Sequence, residues 1–340
     1  MSDTEKRSLY TKEYSEPYEK KPLDVSGYTE VYLRRPIDAQ WQRPAWPLEL
    51  RGLRDNQVID FLLIEIPCSV SLDLENCVRL NSLDLSGCNL NSPLKLGPKQ
   101  RYLQLRDCEL SGILQTQELI SLELKSTIIG SPVTLPDSME RLELNCSTVE
   151  LECLPKRIEY FKYFGTDSSR TDPILDVLLV DHAIEIEGLC HISNARLSKA
   201  ISFQKPCGNL SIWKCQMEPE FKLGGHFRYG DFEGGEENYF FGHAQEGLFF
   251  EELGATDWYT PDAVLELAQI SRTLTVGLDG DFPDLSKTQL ESMTLSSWRN
   301  SENKIPVEYL PSSLKVIRPS FTDYRIENQK IPDEFLQRYG

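Results

Sequence analysis

Along this chain apolar residues alternate with polar ones in short bursts that return at a nearly constant step. The bursts are Ile64-x-Ile66, Leu83-x-Leu85, Leu103-x-Leu105, Leu122-x-Leu124, Leu142-x-Leu144 and Phe161-x-Tyr163, at successive steps of 19, 20, 19, 20 and 19 residues. Period-two alternation marks a strand with one buried face, so the two apolar residues of each burst point inward and the residue between them outward. Three places after most bursts a small or polar residue is followed by an apolar one: Cys88 and Leu90, Cys108 and Leu110, Thr127 and Ile129, Ser147 and Val149. The small residue falls where the chain must turn. Its side chain is placed to hydrogen-bond backbone groups of the neighbouring turn that burial would otherwise leave unsatisfied. Units with a step of this length cannot bury their apolar faces singly, and stacked together they form one continuous core.

Leu96-Gly97-Pro98, Leu135-Pro136-Asp137-Ser138, Leu154-Pro155 and Leu310-Pro311-Ser312-Ser313 fall on the return path of the units. Proline there breaks a helix but suits extended or turn backbone, so the return path is expected to be extended or 3₁₀. After Tyr163 the spacing loosens. Further pairs read at Ile184-x-Ile186, Leu210-x-Ile212, Phe227-x-Tyr229, Leu248-x-Phe250, Leu274-x-Val276, Met293-x-Leu295 and Ile317, at steps of 17 to 26 residues. Such steps leave room for insertions. Pro261 to Ser271 predicts a helix, with Thr260 as N-cap, Pro261 at the first helical position and Asp262 at the positive end. A second helix is expected within Asp172 to Val180.

The unit L-x-x-L-x-L-x-x-N/C/T-x-L, matched from Phe61 to Phe164, resembles the leucine-rich repeat. That resemblance implies an α/β solenoid of roughly 12–13 irregular repeats, with short parallel strands on a concave face and few helices on the convex one. The cysteine-tolerant units with Leu-Pro-x-Ser-Leu segments are similar to FNIP-like and fungal cytosolic leucine-rich repeat proteins. They also resemble the Leu-Pro repeats of secreted bacterial effectors, some of which carry a ubiquitin-ligase domain. That domain needs a Cys-x-Asp motif, and no cysteine here has aspartate two places on. The expected organisation is a flexible arm over 1–43, a cap over 44–60, the solenoid over 61–325 and a C-terminal cap or tail over 326–340.

The arm expectation rests on composition. Met1 to Arg43 holds eight basic and eight acidic residues, few aliphatics, and tyrosines at 10, 14 and 18. Trp41, Trp46, Pro47, Leu48 and Leu50 then suit a cover for the open end of a solenoid. Pro47-Leu-Glu-Leu50 resembles the opening of an F-box, which implies a Skp1-type adaptor and a substrate-recognition subunit of a ubiquitin ligase. Arg51, Arg54, Asp55 and Asn56 interrupt the apolar helix that should follow.

Charge adds the functional reading. The formal net charge is −17, and the arm contributes none of it. Glu65, Asp84, Glu123, Glu143 and Glu185 each sit in the middle of a burst, which predicts a ladder of carboxylates at the ~4.8 Å spacing of neighbouring strands. Gln104 and Lys162 interrupt it. The window from Tyr229 to Ser271 contains ten acidic residues, nine aromatics and no lysine or arginine. Phe227, Tyr229 and Phe250 are assigned to the core, and Tyr239, Phe240 and Phe241 to a projecting loop. Aromatic anchors ringed by charge suit a protein interface. The expected function is therefore a non-enzymatic scaffold that binds a basic protein partner through the acidic face and this loop. No basic stripe for a nucleic-acid backbone is visible.

Catalytic signals are weak. Histidines occur at 182, 191, 226 and 243, and Cys190-His191 should point to opposite faces of a strand. No Cys-x-x-Cys exists, and Asp279-Gly280-Asp281 lacks the remaining ligands of a calcium loop. No catalytic residue, metal site or cofactor is expected. The nine cysteines are odd in number and read as reduced structural thiols of a cytoplasmic or nuclear protein. No membrane span and no secretory leader are read from the sequence.

Overall fold

Each coil of the chain lays down a strand whose alternate side chains face a common interior, and successive strands pair in parallel. The structure, a computed structural model, describes residues 7–10, 22–34, 46–151, 154–165, 185–197, 201–202, 207–233, 242–299, 304–319 and 325–327. The chain is a mostly parallel β-solenoid of about 12 turns with very few helices. It divides into two compact units, Met1–Ile158 and Glu159–Gly340.

In the first unit the strands Ser8–Tyr10, Glu30–Arg34, Phe61–Glu65, Ser82–Ser86, Tyr102–Arg106, Ser121–Lys125 and Ser138–Asn145 pair in parallel, in that order. Leu83, Leu103, Leu122 and Leu142 stand in register across this sheet and are at most 1% exposed. The return path is extended, as the prolines required, and it is more regular than expected. Trp46–Leu48, Cys68–Val70, Cys88–Leu90, Glu109–Leu110 and Ile128–Ile129 form a second parallel sheet. Leu94–Lys95 and Ile113–Leu114 pair as a third. A coil is thus three-sided, and Cys88, Leu90, Leu110, Ile113 and Ile129 fill the core from the second and third sides.

The corner between the first two sides has a recurring construction. Asp107, Ser126 and Cys146 take left-handed φ values of 50°, 48° and 47°, and Gly87 takes 70° at the equivalent place. The amide N–H groups of Gly87, Asp107 and Ser126 each donate to a carbonyl of the next coil at 2.8 Å. The small residue that follows closes the corner, as its chemistry predicted. The Cys108 thiol donates to the Leu85 carbonyl at 3.4 Å, and the Thr127 hydroxyl to the Leu105 carbonyl at 3.1 Å. These bonds satisfy buried carbonyls between stacked corners, which is what selects a short donor at this position.

Three expectations are corrected in this unit. The inward pair of the strand Phe61–Glu65 is Leu62 and Ile64, so Leu63, not Glu65, stands opposite Asp84. The first 43 residues do not behave as a free arm where they are described. Glu30–Arg34 is a strand of the main sheet with Val31 and Leu33 fully buried. Asn56 fixes the segment ahead of it, its side-chain amide donating to the Val25 and Tyr28 carbonyls at 2.8 and 3.0 Å. Trp46–Leu48 and Leu50–Arg51 are strands, so Pro47 to Leu50 does not begin the helix that an F-box opening requires.

The second unit repeats the plan with longer strands. Glu185–Ser193, Cys207–Trp213, His226–Glu233, Phe249–Tyr259, Ser271–Asp279, Ser292–Arg299 and Val316–Pro319 pair in parallel, in that order. Leu210 and Ile212, Leu274 and Val276, Met293 and Leu295, and Ile317 all face the core as expected. Three other pairs shift. The inward residues are Cys190 and Ile192 in place of Ile184 and Ile186, Gly230 and Phe232 in place of Phe227 and Tyr229, and Leu253 and Ala255 in place of Leu248 and Phe250. Ile186, Phe227, Leu248 and Phe250 are nevertheless buried, whereas Tyr229 is 39% exposed. The predicted helix forms over Pro261–Gln269, with the Thr260 hydroxyl accepting from the Ala263 amide at 3.4 Å. It is the crossover between two parallel strands, and it buries Ala263, Val264, Leu267 and Ala268. The helix expected within 172–180 lies outside the described residues. Arg325–Glu327, where the tail was expected to start, pairs with Lys304–Pro306.

Candidate functional site

The outward face of the main sheet carries the chain's charge pattern, and each unit presents its own version. In the first unit the middle lane runs Tyr10, Tyr32, Leu63, Asp84, Gln104, Glu123, Glu143, one residue per strand. The lane begins aromatic, with Tyr10 and Tyr32 stacked at 4.6 Å, and ends acidic. Of the expected ladder, Asp84, Glu123 and Glu143 are therefore brought into line. Glu65 is not. It lies opposite Arg34, whose guanidinium it meets at 3.3 Å.

Nor is this a bare row of like charges. Arg141 bridges Glu123 and Glu143 at 2.7 Å to each, and the Gln104 amide donates to Glu123 at 2.8 Å. The register two residues further along the strands holds Arg34, Glu65, Arg106 and Lys125, so a basic lane flanks the acidic one. Asp84 is the exception. Its Oδ1 is buried without a hydrogen-bond partner among the described residues. Burial pushes its pKa up, and neighbouring Glu65 and Glu123 add to the rise against opposition from Arg106 and Arg34. The site therefore holds a carboxylate where its charged form is disfavoured.

In the second unit the middle lane runs His191, Ser211, Asp231, Gly254, Thr275, Thr294, Arg318. Glu185 begins the strand whose lane position is His191, so it falls outside the ladder. Tyr239, Phe240 and Phe241 lie outside the described residues. Acidic and aromatic side chains also meet on the sheet. The Trp213 indole N–H donates to Asp231 Oδ2 at 3.1 Å, and His191 meets the Trp213 ring edge-on at 5.0 Å. Cys190 is buried beneath, on the opposite face from His191.

Gly254 follows Asp231 in the lane and has no side chain to offer. A Cβ built there would stand 3.4 Å from Asp231 Oδ1 and 3.4 Å from the Tyr229 hydroxyl, so both groups overhang its backbone. Trp213 and Tyr229 are 36% and 39% exposed on either side. Burial raises the pKa of Asp231, with the Trp213 bond working against it, and burial together with Asp231 and Glu252 raises that of Tyr229. No family model, curated protein or solved structure matches the chain.

Sequence reasoning missed Trp213, Asp231 and Gly254 as one site and placed Tyr229 in the core. The available signal was Gly230-Asp231-Phe232, in which a glycine and a phenylalanine flank an acid at strand spacing. Among the described residues no group of three or more His, Cys, Asp or Glu side chains is arranged to hold a metal ion. No described helix is long and apolar enough to cross a membrane.

Proposed function

We propose that this chain is a non-enzymatic scaffold whose outward sheet face holds a basic segment of a protein partner. The observation that carries the reading is Asp84, a half-buried carboxylate in mid-lane with one oxygen unsatisfied and a raised pKa. A cationic group laid along the lane would favour the charged form. Asp231 repeats the theme in the second unit. The net charge of −17 supports attraction of basic chains at a distance, mainly through the association rate. Within the same reading the solenoid is of leucine-rich repeat type. One short lane strand per coil and a Cys, Thr or Ser donor at the corner support it. The free thiols of Cys68, Cys77, Cys88 and Cys108 suit a cytoplasmic or nuclear setting.

Binding of fluorescent oligolysine, with oligoglutamate as control, tests this by anisotropy at low and high salt. The expected result is saturable oligolysine binding that salt weakens and that Asp84→Asn with Glu123→Gln reduces by about tenfold or more. Equal affinity of the double variant and the parent protein would overturn the reading.

A further inference from the structure

The shelf at Gly254 is more specific than the striped face around it. Tyr229 and Asp231 are two residues apart on one strand and project from the same side. Trp213 stands one strand earlier, opposite Glu233, and Tyr229 stands opposite Glu252. Two exposed aromatic rings therefore flank one carboxylate, with further acids beside each ring. Asp231, Glu233 and Glu252 have no ion-pair partner among the described residues, although Glu251 next to them is paired with Arg272 and His226. Asp231 is also held in place. Its Oδ2 is occupied by the Trp213 indole, while Oδ1 faces the shelf over Gly254. Any larger residue at Gly254 would fill that space.

We infer that this shelf takes an arginine side chain of a protein partner, its planar guanidinium laid against the Tyr229 and Trp213 rings and hydrogen-bonded to Asp231. The inference rests on the basic-partner reading above and assigns it a contact. Arginine fits better than lysine because a guanidinium is planar, weakly hydrated and forked. It stacks on aromatic faces while donating in plane to a carboxylate, and an ammonium does not. The same unit already uses arginine stacked on a ring, with the Arg299 guanidinium 3.9 Å from the centre of the Trp258 ring. Sugars also stack on exposed aromatic rings, but the surplus of unpaired carboxylate here favours a cation.

The test follows the indole N–H resonance of Trp213 in the full chain by NMR, assigned with Trp213→Phe. The probes are a blocked glycine-rich peptide with one arginine, its citrulline isostere, and a neutral oligosaccharide. The arginine peptide should shift the resonance saturably. Citrulline should bind at least about tenfold more weakly, because it keeps the shape and loses the charge. Asp231→Asn keeps an acceptor for Trp213 and should weaken the arginine peptide by a similar factor. Gly254→Val should block the shelf, with an unchanged amide spectrum elsewhere showing that the fold survives. Equal response to arginine and citrulline, or a shift with the oligosaccharide alone, would overturn the assignment. If oligolysine binds through Asp84 while the Trp213 resonance stays silent to arginine, this inference fails and the broader reading stands. If neither probe binds, both fail.

Discussion

Leu122→Ala measures how firmly one coil is held by its neighbours. Leu122 is fully buried, and in register it is flanked by Leu103 on one strand and Leu142 on the next. Truncation removes about three carbon groups, worth roughly 0.8 kcal/mol each in transfer. The cavity adds to this, because the flanking strands are fixed by backbone ladders and collapse poorly. The sum falls at about 3–5 kcal/mol, in the upper part of the range for buried leucines. Leu114→Ala serves as the control. Leu114 sits on the third side of a coil, 44% exposed, and its truncation should cost under about 1 kcal/mol. Global melting is a poor readout, since coils contact only their neighbours and cooperativity can break along the stack. Native-state hydrogen exchange reads each coil separately. Amides of Tyr102–Arg106, Ser121–Lys125 and Ser138–Asn145 should lose protection together in Leu122→Ala and stay protected in Leu114→Ala. Similar effects from the two variants would refute the coil assignment.

Gly87→Ala isolates the corner conformation, because the added Cβ meets nothing closer than 3.5 Å at φ +70°. The left-handed penalty, less the stabilisation from the entropy that alanine removes from the unfolded chain, gives a net loss of about 0.5–1.5 kcal/mol by chemical denaturation, and Gly87→Val should lose more. Burial pushes the Cys77 thiol up to about 11, and Cys88 also lies well above the ordinary range, mainly through its contacts with the Cys108 and Cys68 thiols. Both should resist a thiol reagent at neutral pH until the protein unfolds. The bond from Lys315 lowers the pKa of Glu291 below its ordinary 4.5. A lowered carboxyl pKa contributes stability that is present above 4.5 and lost as pH falls through the folded value. Lys315→Met should therefore flatten the acid limb of the stability profile, with little change below it. Asp84 has the opposite sign. Its raised pKa disfavours the folded state as pH rises through the folded value, so Asp84→Asn should raise stability at neutral pH while it weakens oligolysine binding.

The main-sheet strands were legible where alternation was strict and failed where it was not. Ser82–Ser86, Tyr102–Arg106, Ser121–Lys125 and Ser138–Asn145 each place two leucines around one polar residue, and their register follows. Phe61-Leu62-Leu63-Ile64 is a continuous apolar run, so alternation could not choose a phase, and Glu65 was assigned to the wrong lane. The shift at Tyr229 has a related cause. Gly230 occupies an inward position without an apolar side chain, and a Cβ there would stand 2.5 Å from the Phe250 ring. Position 230 is thus filled by a ring from the next strand, which no local pattern reports. The left-handed corners were illegible for another reason. Gly87, Asp107 and Asn194 are residue types that favour the conformation, but Ser126, Cys146 and Lys214 are not. Gly87, Asp107, Ser126, Asn194 and Lys214 each donate their amide to a carbonyl of the next coil, which is a property of the stack.

That same stacking explains why the candidate site could be only half read. A solenoid lane gathers one residue from each coil, so its chemistry depends on register through every coil between. Asp84, Glu123 and Glu143 were placed correctly because the steps between their strands are regular, yet Arg141, which bridges two of them, stood one residue outside the repeating pair. Asp231 and Trp213 are 18 positions apart in the sequence and become partners only when Ser211 and Asp231 stand in register. A stack that needed only a stable outer face would pair its lane carboxylates throughout, as it does at Glu123 and Glu143. Leaving Asp84 and Asp231 with raised pKa values gives up stability at one lane position in each unit. Under the proposed reading a basic partner recovers that loss on binding, so the two aspartates support that reading more than the net charge does.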